Sequence, residues 1–161
     1  MAAYAYAYPL DKLILSLKYG EKFYLANSLG DRLLKRAMIR PDCLVAMPLH
    51  PLRLRERGFN QALQLARSIG RQLDIPVLPF ACQRVRNTPS QSTLPLKERD
   101  KNIRKAFSCA TGIAGKHVAI VDDVMTTGAT VNELALALLN AGASEVSAWV
   151  VARTLPHTGK R

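Results

Sequence analysis

The sequence predicts an α/β fold in which a mostly parallel, twisted sheet is flanked by helices. Three observations predict it. From His117, an apolar strand at 118–121, a polar turn to Thr130, a helix at 131–140 stopped by Gly142 and a strand at 146–151 read as one βαβ unit. Upstream, a short apolar run at 43–47 lies between Pro41 and Pro48, the pattern of a buried strand, and a helical stretch follows at 61–73. Finally, 161 residues with 48% hydrophobic content suit one domain with its own core. Strands that alternate with helices argue a parallel sheet, whose ligands bind beyond the carboxyl ends of the strands.

The remaining elements follow in order. Tyr4, Tyr6 and Tyr8 alternate with alanine, which suits an edge strand with one aromatic face. After Pro9, the residues Leu10, Leu13, Ile14 and Leu17 form a helical stripe that Gly20 ends. A second helix is expected over 22–36, with Gly30 as a weak point inside it. Residues 1–40 thus read as a strand and helices packed on a core at 41–155, all within one domain spanning 1–161. One or two further strands are expected within 76–85. Residues 86–105 carry Arg86, Lys97, Arg99, Lys101, Arg104 and Lys105 with no apolar period, and read as a flexible basic loop. Ordinary connectors run to about four to six residues, so a stretch this long is functional or disordered.

Composition narrows the partners. Lys and Arg number 23 against 12 acids, a net charge of +11 that favours a polyanion such as nucleic acid, nucleotide or pyrophosphate. Cys43, Cys82 and Cys109 are far apart and odd in number, and read as buried thiols. The scattered His50, His117 and His157 add no metal cluster, so any metal should arrive with a ligand. No apolar run is long enough to span a membrane, and a cytoplasmic protein is expected.

The chemistry concentrates in the thirteen residues at 118–130, Val-Ala-Ile-Val-Asp-Asp-Val-Met-Thr-Thr-Gly-Ala-Thr. Four apolar residues bury the strand, so Asp122 and Asp123 fall where the sheet is expected to end. Adjacent carboxylates need donors, a cation or solvent. A vicinal ribose diol supplies donors, and magnesium can bridge nearby. Beyond the acids, Thr126, Thr127 and Thr130 offer hydroxyls, Gly128 allows a tight turn, and the next helix presents free N–H groups and its positive dipole end. A diol site one turn from a phosphate site matches a ribose 5-phosphate. Helix caps use the same residue types, but the whole string is more specific than a cap.

That string resembles the phosphoribosyl pyrophosphate motif of type I phosphoribosyltransferases. Tyr8-Pro9, Leu17-Lys18-Tyr19-Gly20, the run Arg55-Glu56-Arg57-Gly58-Phe59-Asn60-Gln61, and Gln91, Leu94, Arg99, Asn102 and Phe107 extend the resemblance across nearly the whole chain to the ComF/GntX family. The resemblance implies a type I phosphoribosyltransferase-like fold with a flexible hood loop, and 5-phosphoribosyl 1-pyrophosphate as ligand with Mg2+. It places the ribose 5-phosphate on Asp122, Asp123, Thr126, Thr127, Gly128, Ala129 and Thr130. It places pyrophosphate on Pro48, Leu49 and His50, although Pro48 also suits a plain strand terminator. Asp122, Asp123 and Arg99 become the catalytic candidates. Arg53, Arg55 and Arg57 alternate and would share one face if extended, and with Arg104 they are candidates for phosphate or nucleic acid; the bland alternative is a solvated basic loop. Family members usually begin with a four-cysteine zinc module ahead of the tyrosine strand. This sequence starts where that module would end, and no zinc site is expected.

Three function classes remain. The first is a magnesium-dependent phosphoribosyltransferase-like enzyme of unassigned acceptor. Purine-salvage relatives carry a carboxylate base where this chain has Thr126, which disfavours base-catalysed purine transfer. The second is a nucleic-acid-binding module, since relatives are linked to natural transformation and uptake of single-stranded DNA with other competence proteins. The third is a metabolite sensor without turnover. Dimerisation is common for the fold, and no interface is visible in the sequence.

Overall fold

A computed structural model describes residues 1–19, 24–34, 39–88 and 102–154. In chain order they form β1 (Ala2–Ala5), α1 (Leu10–Tyr19), α2 (Tyr24–Leu34), β2 (Cys43–Ala46), α3 (Pro51–Arg57) and α4 (Gln61–Leu73). There follow β3 (Cys82–Arg84), β4 (Phe107–Cys109), a 3-10 turn at Thr111–Ile113, β5 (His117–Met125), α5 (Ala129–Asn140) and β6 (Glu145–Arg153). The expected hood loop, with Gln91, Leu94, Lys97, Arg99 and Lys101, lies largely outside the described residues, as do Gly20 and His157.

The main sheet runs β1-β6-β5-β2 with every pairing parallel. Val77 adds a parallel bridge to Leu44 on the free side of β2. Val118, Ala119, Ile120 and Val121 are all at 0% exposure. Successive strand side chains point to opposite faces, so four buried in a row require cover on both. On the helical side, α2 packs on α4, α4 on β2 and β5, and α2 on β1 and β6, while α5 packs on β5, β6 and β4. From β2 the chain passes toward Val77, whereas from β5 it passes through α5 to β6. The connections therefore diverge between β2 and β5, the topological switch point at which open α/β sheets hold ligands.

Local causes explain most boundaries. Asn60 caps α4: its Oδ1 accepts the Ala62 and Leu63 N–H groups at 2.9 and 3.3 Å. Its Nδ2 donates to the Met47 carbonyl at 3.0 Å, which pins the helix start to the end of β2. Ile14 and Leu17 are the fully buried members of the α1 stripe, and Leu13 lies at its exposed edge. At β1 the edge position is as expected but the aromatic face is not. Ala3 is the buried residue, Tyr4 is exposed, and Tyr8 lies past the strand before a cis Tyr8–Pro9 bond.

Two further expectations change. Strand β5 runs through the acids to Met125, because β6 continues alongside it to Arg153. Cys82 and Cys109, expected as thiols, form a disulfide across the antiparallel β3–β4 pair, while Cys43 is a buried free thiol. They are 27 residues apart, and only the strand register brings them face to face.

Two helical glycines are tight for different reasons. A Cβ on Gly70 would meet the Ile75 carbonyl oxygen and Val77 Cγ2, each at 2.7 Å, next to the bridge beside β2. A Cβ on Gly30 would meet Ser68 Oγ at 3.1 Å, where α2 crosses α4. The serine rotates and the backbone does not. Gly70→Ala should therefore cost about 1–3 kcal/mol by overpacking, whereas at Gly30→Ala the gain in helix propensity of about 1 kcal/mol offsets the crowding. Urea unfolding of both variants checks this, and equal destabilisation would contradict the packing described.

Candidate functional site

Strand β2 ends its pairing at Ala46 opposite Val121, while β5 continues to Met125. Past that point β2 turns into the 47–50 segment and α3, which leaves a cavity of about 320 Å³ beside residues 122–125. Asp122, Asp123, Thr126, Gly128, Ala129 and Thr130 line it, facing Leu49, His50, Arg53 and Arg57.

The two acids differ sharply. Asp123 is 3% exposed, and its Oδ2 lies 3.0 Å from Lys18 Nζ, contributed by α1. Asp122 is half-buried, and its Oδ1 accepts the Asp123 N–H at 2.8 Å, as Asp123 Oδ1 accepts that of Val124. Burial, and then the neighbouring Asp123 charge, push the Asp122 carboxyl well above the usual carboxylate range. Burial alone would lower the Lys18 pKa, but the Asp123 charge and hydrogen bond outweigh it and raise the pKa. The acid pair is thus split by its surroundings: one carboxylate is neutralised internally and the other is left facing the cavity.

The turn between β5 and α5 is built on its glycine. Gly128 adopts φ +88°, the left-handed region, and caps α5 without a side-chain bond. No side chain of the cap residue therefore closes the first turn of α5, and its positive dipole end meets the cavity wall formed by Ala129, Thr130 and Val131. Thr127 stands apart: it is exposed, and its Oγ1 accepts the Ala129 N–H at 3.3 Å instead of lining the cavity.

The basic run 53–57 is not extended. Pro51 at the first helical position, His50 Nδ1 accepting the Leu52 N–H at 3.3 Å, and Gly58 at φ +79° bound a seven-residue helix. Helical geometry puts Arg53 and Arg57 on one side and Arg55 on another. The first two line the cavity, and Arg55 and Arg104 are exposed elsewhere. Pro48 is buried and lines a separate groove, not this cavity. Arg99 lies outside the described residues. His117, at the far end of β5, faces Ser147 Oγ at 2.9 Å and takes no part.

Two lining cations had not been expected. Lys18 sits four residues beyond buried Ile14, and a lysine on that stripe was a readable signal. Arg84 shares a strand face with Cys82; its Nη2 donates to Thr88 Oγ1, and its guanidinium lies 5.9 Å from the Phe107 ring centroid. Burial, and then the nearby Arg53 charge, lower its pKa, while Asp122 acts the other way. The cavity therefore holds Lys18, Arg53, Arg57 and Arg84 against two carboxylates, an excess of positive charge suited to an anionic ligand.

Comparison with known proteins bears on the fold and the family. Residues 60–160 match the phosphoribosyl transferase domain family. The chain is 37% identical over 158 residues to the DNA utilization protein YhgH of Escherichia coli strain K12, covering 93% of this chain and 70% of that protein. It is 36% identical over 160 residues to competence protein F of Haemophilus influenzae, covering 92% and 69%. Among solved structures, the glutamine phosphoribosylpyrophosphate amidotransferase of B. subtilis superposes with a TM-score of 0.54 at 21% identity, over 78% of this chain and 25% of that one, a likeness of fold. With its parallel sheet, its glycine-capped loop and these relatives, the chain belongs to the phosphoribosyltransferase-domain family, in the ComF/YhgH group.

Proposed function

We infer that the cavity binds 5-phosphoribosyl 1-pyrophosphate, with the ribose diol on Asp122 and the 5-phosphate on the first turn of α5. The observation that carries this reading is the meeting, at the switch point, of a carboxylate, a glycine-capped helix start and a cationic far wall. The diphosphate would then lie against the 49–50 segment, within reach of Arg53, Arg57 and Arg84. Among the described residues no group of His, Cys, Asp or Glu could hold a metal alone, and Asp123 already faces Lys18. Magnesium would be held near Asp122 together with the ligand and would help neutralise the diphosphate.

In a transfer reaction the bond from ribose C1 to the diphosphate oxygen breaks, its electron pair leaves with pyrophosphate, and an acceptor nucleophile bonds to C1. The chain's own part is to orient the ribose through Asp122 and to stabilise the departing anion through its arginines. Binding without turnover is the second reading. It is favoured because Thr126 supplies no base and the His50 Nδ1 is engaged by the Leu52 N–H. The relatives are named for DNA utilization and competence, and we place this chain's role in handling single-stranded DNA during natural transformation.

Three outcomes are expected. In calorimetric titration with magnesium, Asp122→Asn should weaken phosphoribosyl pyrophosphate binding by about 10- to 100-fold, since a charged hydrogen-bond acceptor contributes about 1.5–3 kcal/mol; unchanged affinity would remove Asp122 from the site. The same variant should be more stable than the parent near neutral pH. The folded-state pKa of Asp122 is raised, so the folded protein binds more protons than the unfolded chain from the ordinary carboxylate value of 3.8 upward. The parent's stability contribution at this group therefore declines as pH rises through the folded-state pKa, and Asp122→Asn lacks the decline. Urea unfolding of both proteins across that window measures it. Finally, pyrophosphate release with nucleobases or oligonucleotides as acceptors separates transfer from binding: no release under saturating ligand favours the second reading.

A further inference from the structure

Helix α3 has two sides, and the second faces a groove of about 740 Å³. Leu54 of α3, Gln64 and Arg67 of α4, and the segment Pro79–Val85 before and along β3 form its walls. Phe80 in that segment is 84% exposed, and Val85 and Leu54 are also exposed. The lining holds Arg67 and Arg84 and no Asp or Glu. Leu49, His50 and Arg84 line both this groove and the anion cavity, so the two spaces meet along the 49–50 segment.

We propose that this groove is the docking track for single-stranded nucleic acid, with Phe80 as a base-stacking platform and Arg67 as a phosphate contact. An aromatic ring left in water inside an acid-free, basic groove fits an unpaired base, which offers a flat apolar face beside a phosphate. A protein partner that complemented those arginines would need to be acidic, and nothing in the apolar lining selects one. Continuity with the anion cavity lets the backbone pass along the same positive surface, in keeping with the net charge of +11. A duplex keeps its bases stacked inside and cannot use Phe80 in this way. The inference rests on the DNA-handling part of the function proposed above and is independent of the phosphoribosyl part.

The test is fluorescence anisotropy with a labelled oligodeoxythymidylate and a duplex of equal length, titrated at several salt concentrations. Phe80→Ala should weaken single-strand binding by about tenfold or more, in line with the loss of one stacked base. Arg67→Ala should reduce the slope of log affinity against log salt by about 0.7, as expected for one phosphate contact to a single strand. Both side chains are exposed, so thermal unfolding should be unchanged. Equal affinity of Phe80→Ala and parent, equal affinity for duplex and single strand, or no binding even at low salt would each overturn the proposal; the last would leave the groove to a protein partner. Phosphoribosyl pyrophosphate titrated into Phe80→Ala should bind as in the parent. Failure of that ligand to bind the parent sinks the cavity assignment without touching the groove.

Discussion

Strand β5 outruns β2 by the four residues 122–125, and the candidate site depends on that mismatch. Had β2 continued alongside, its backbone would fill the space where the cavity lies. Past Met47, whose N–H makes the last bond to β5, the chain turns aside, and Pro51 in the first turn begins α3. The freed edge of β5 then carries its carboxylates into an opening bounded by α3 and α5. Asn60 fixes the arrangement by tying the start of α4 to the Met47 carbonyl, the last contact of β2 before it diverges.

Within that opening, the Lys18–Asp123 pair governs the electrostatics. A carboxylate at 3% exposure requires a counter-charge, and α1 provides it. The pair ties the N-terminal helix to the central strand, so the segment before β2 completes the site instead of merely covering the sheet. With Asp123 balanced, Asp122 and the arginines define the field that a ligand meets. Arg84 reaches this field from β3, whose register with β4 is held by the Cys82–Cys109 bond. Helix α3 divides the surface, with Arg53 and Arg57 toward the cavity and Leu54 toward the groove.

The run Arg55–Gln61 shows how function and structure share one motif. From the residues it read as an extended basic stripe before a helix. In the fold it is the end of one helix, a left-handed glycine and an Asn cap. Alternating arginines look alike in a strand or a helix until the capping pattern decides, and here His50, Pro51 and Gly58 decide for helix. Arg55 leaves the cavity for that reason alone. Thr127 likewise serves the turn, where its Oγ1 accepts the Ala129 N–H.

The sequence by itself determined the parallel βαβ unit, the extent of α4 from Gln61 to Leu73 and the clustering of acid, threonine and glycine at the end of β5 and just beyond it. These are local: period, capping and turn chemistry act within a few residues, so they can be read in line. Tertiary structure alone decided which distant cations complete the cavity, that Asp122 and Asp123 play unequal parts, and that Cys82 meets Cys109. Such outcomes depend on helix packing and strand register between segments far apart in the chain, where small shifts change which side chains meet and which remain in water.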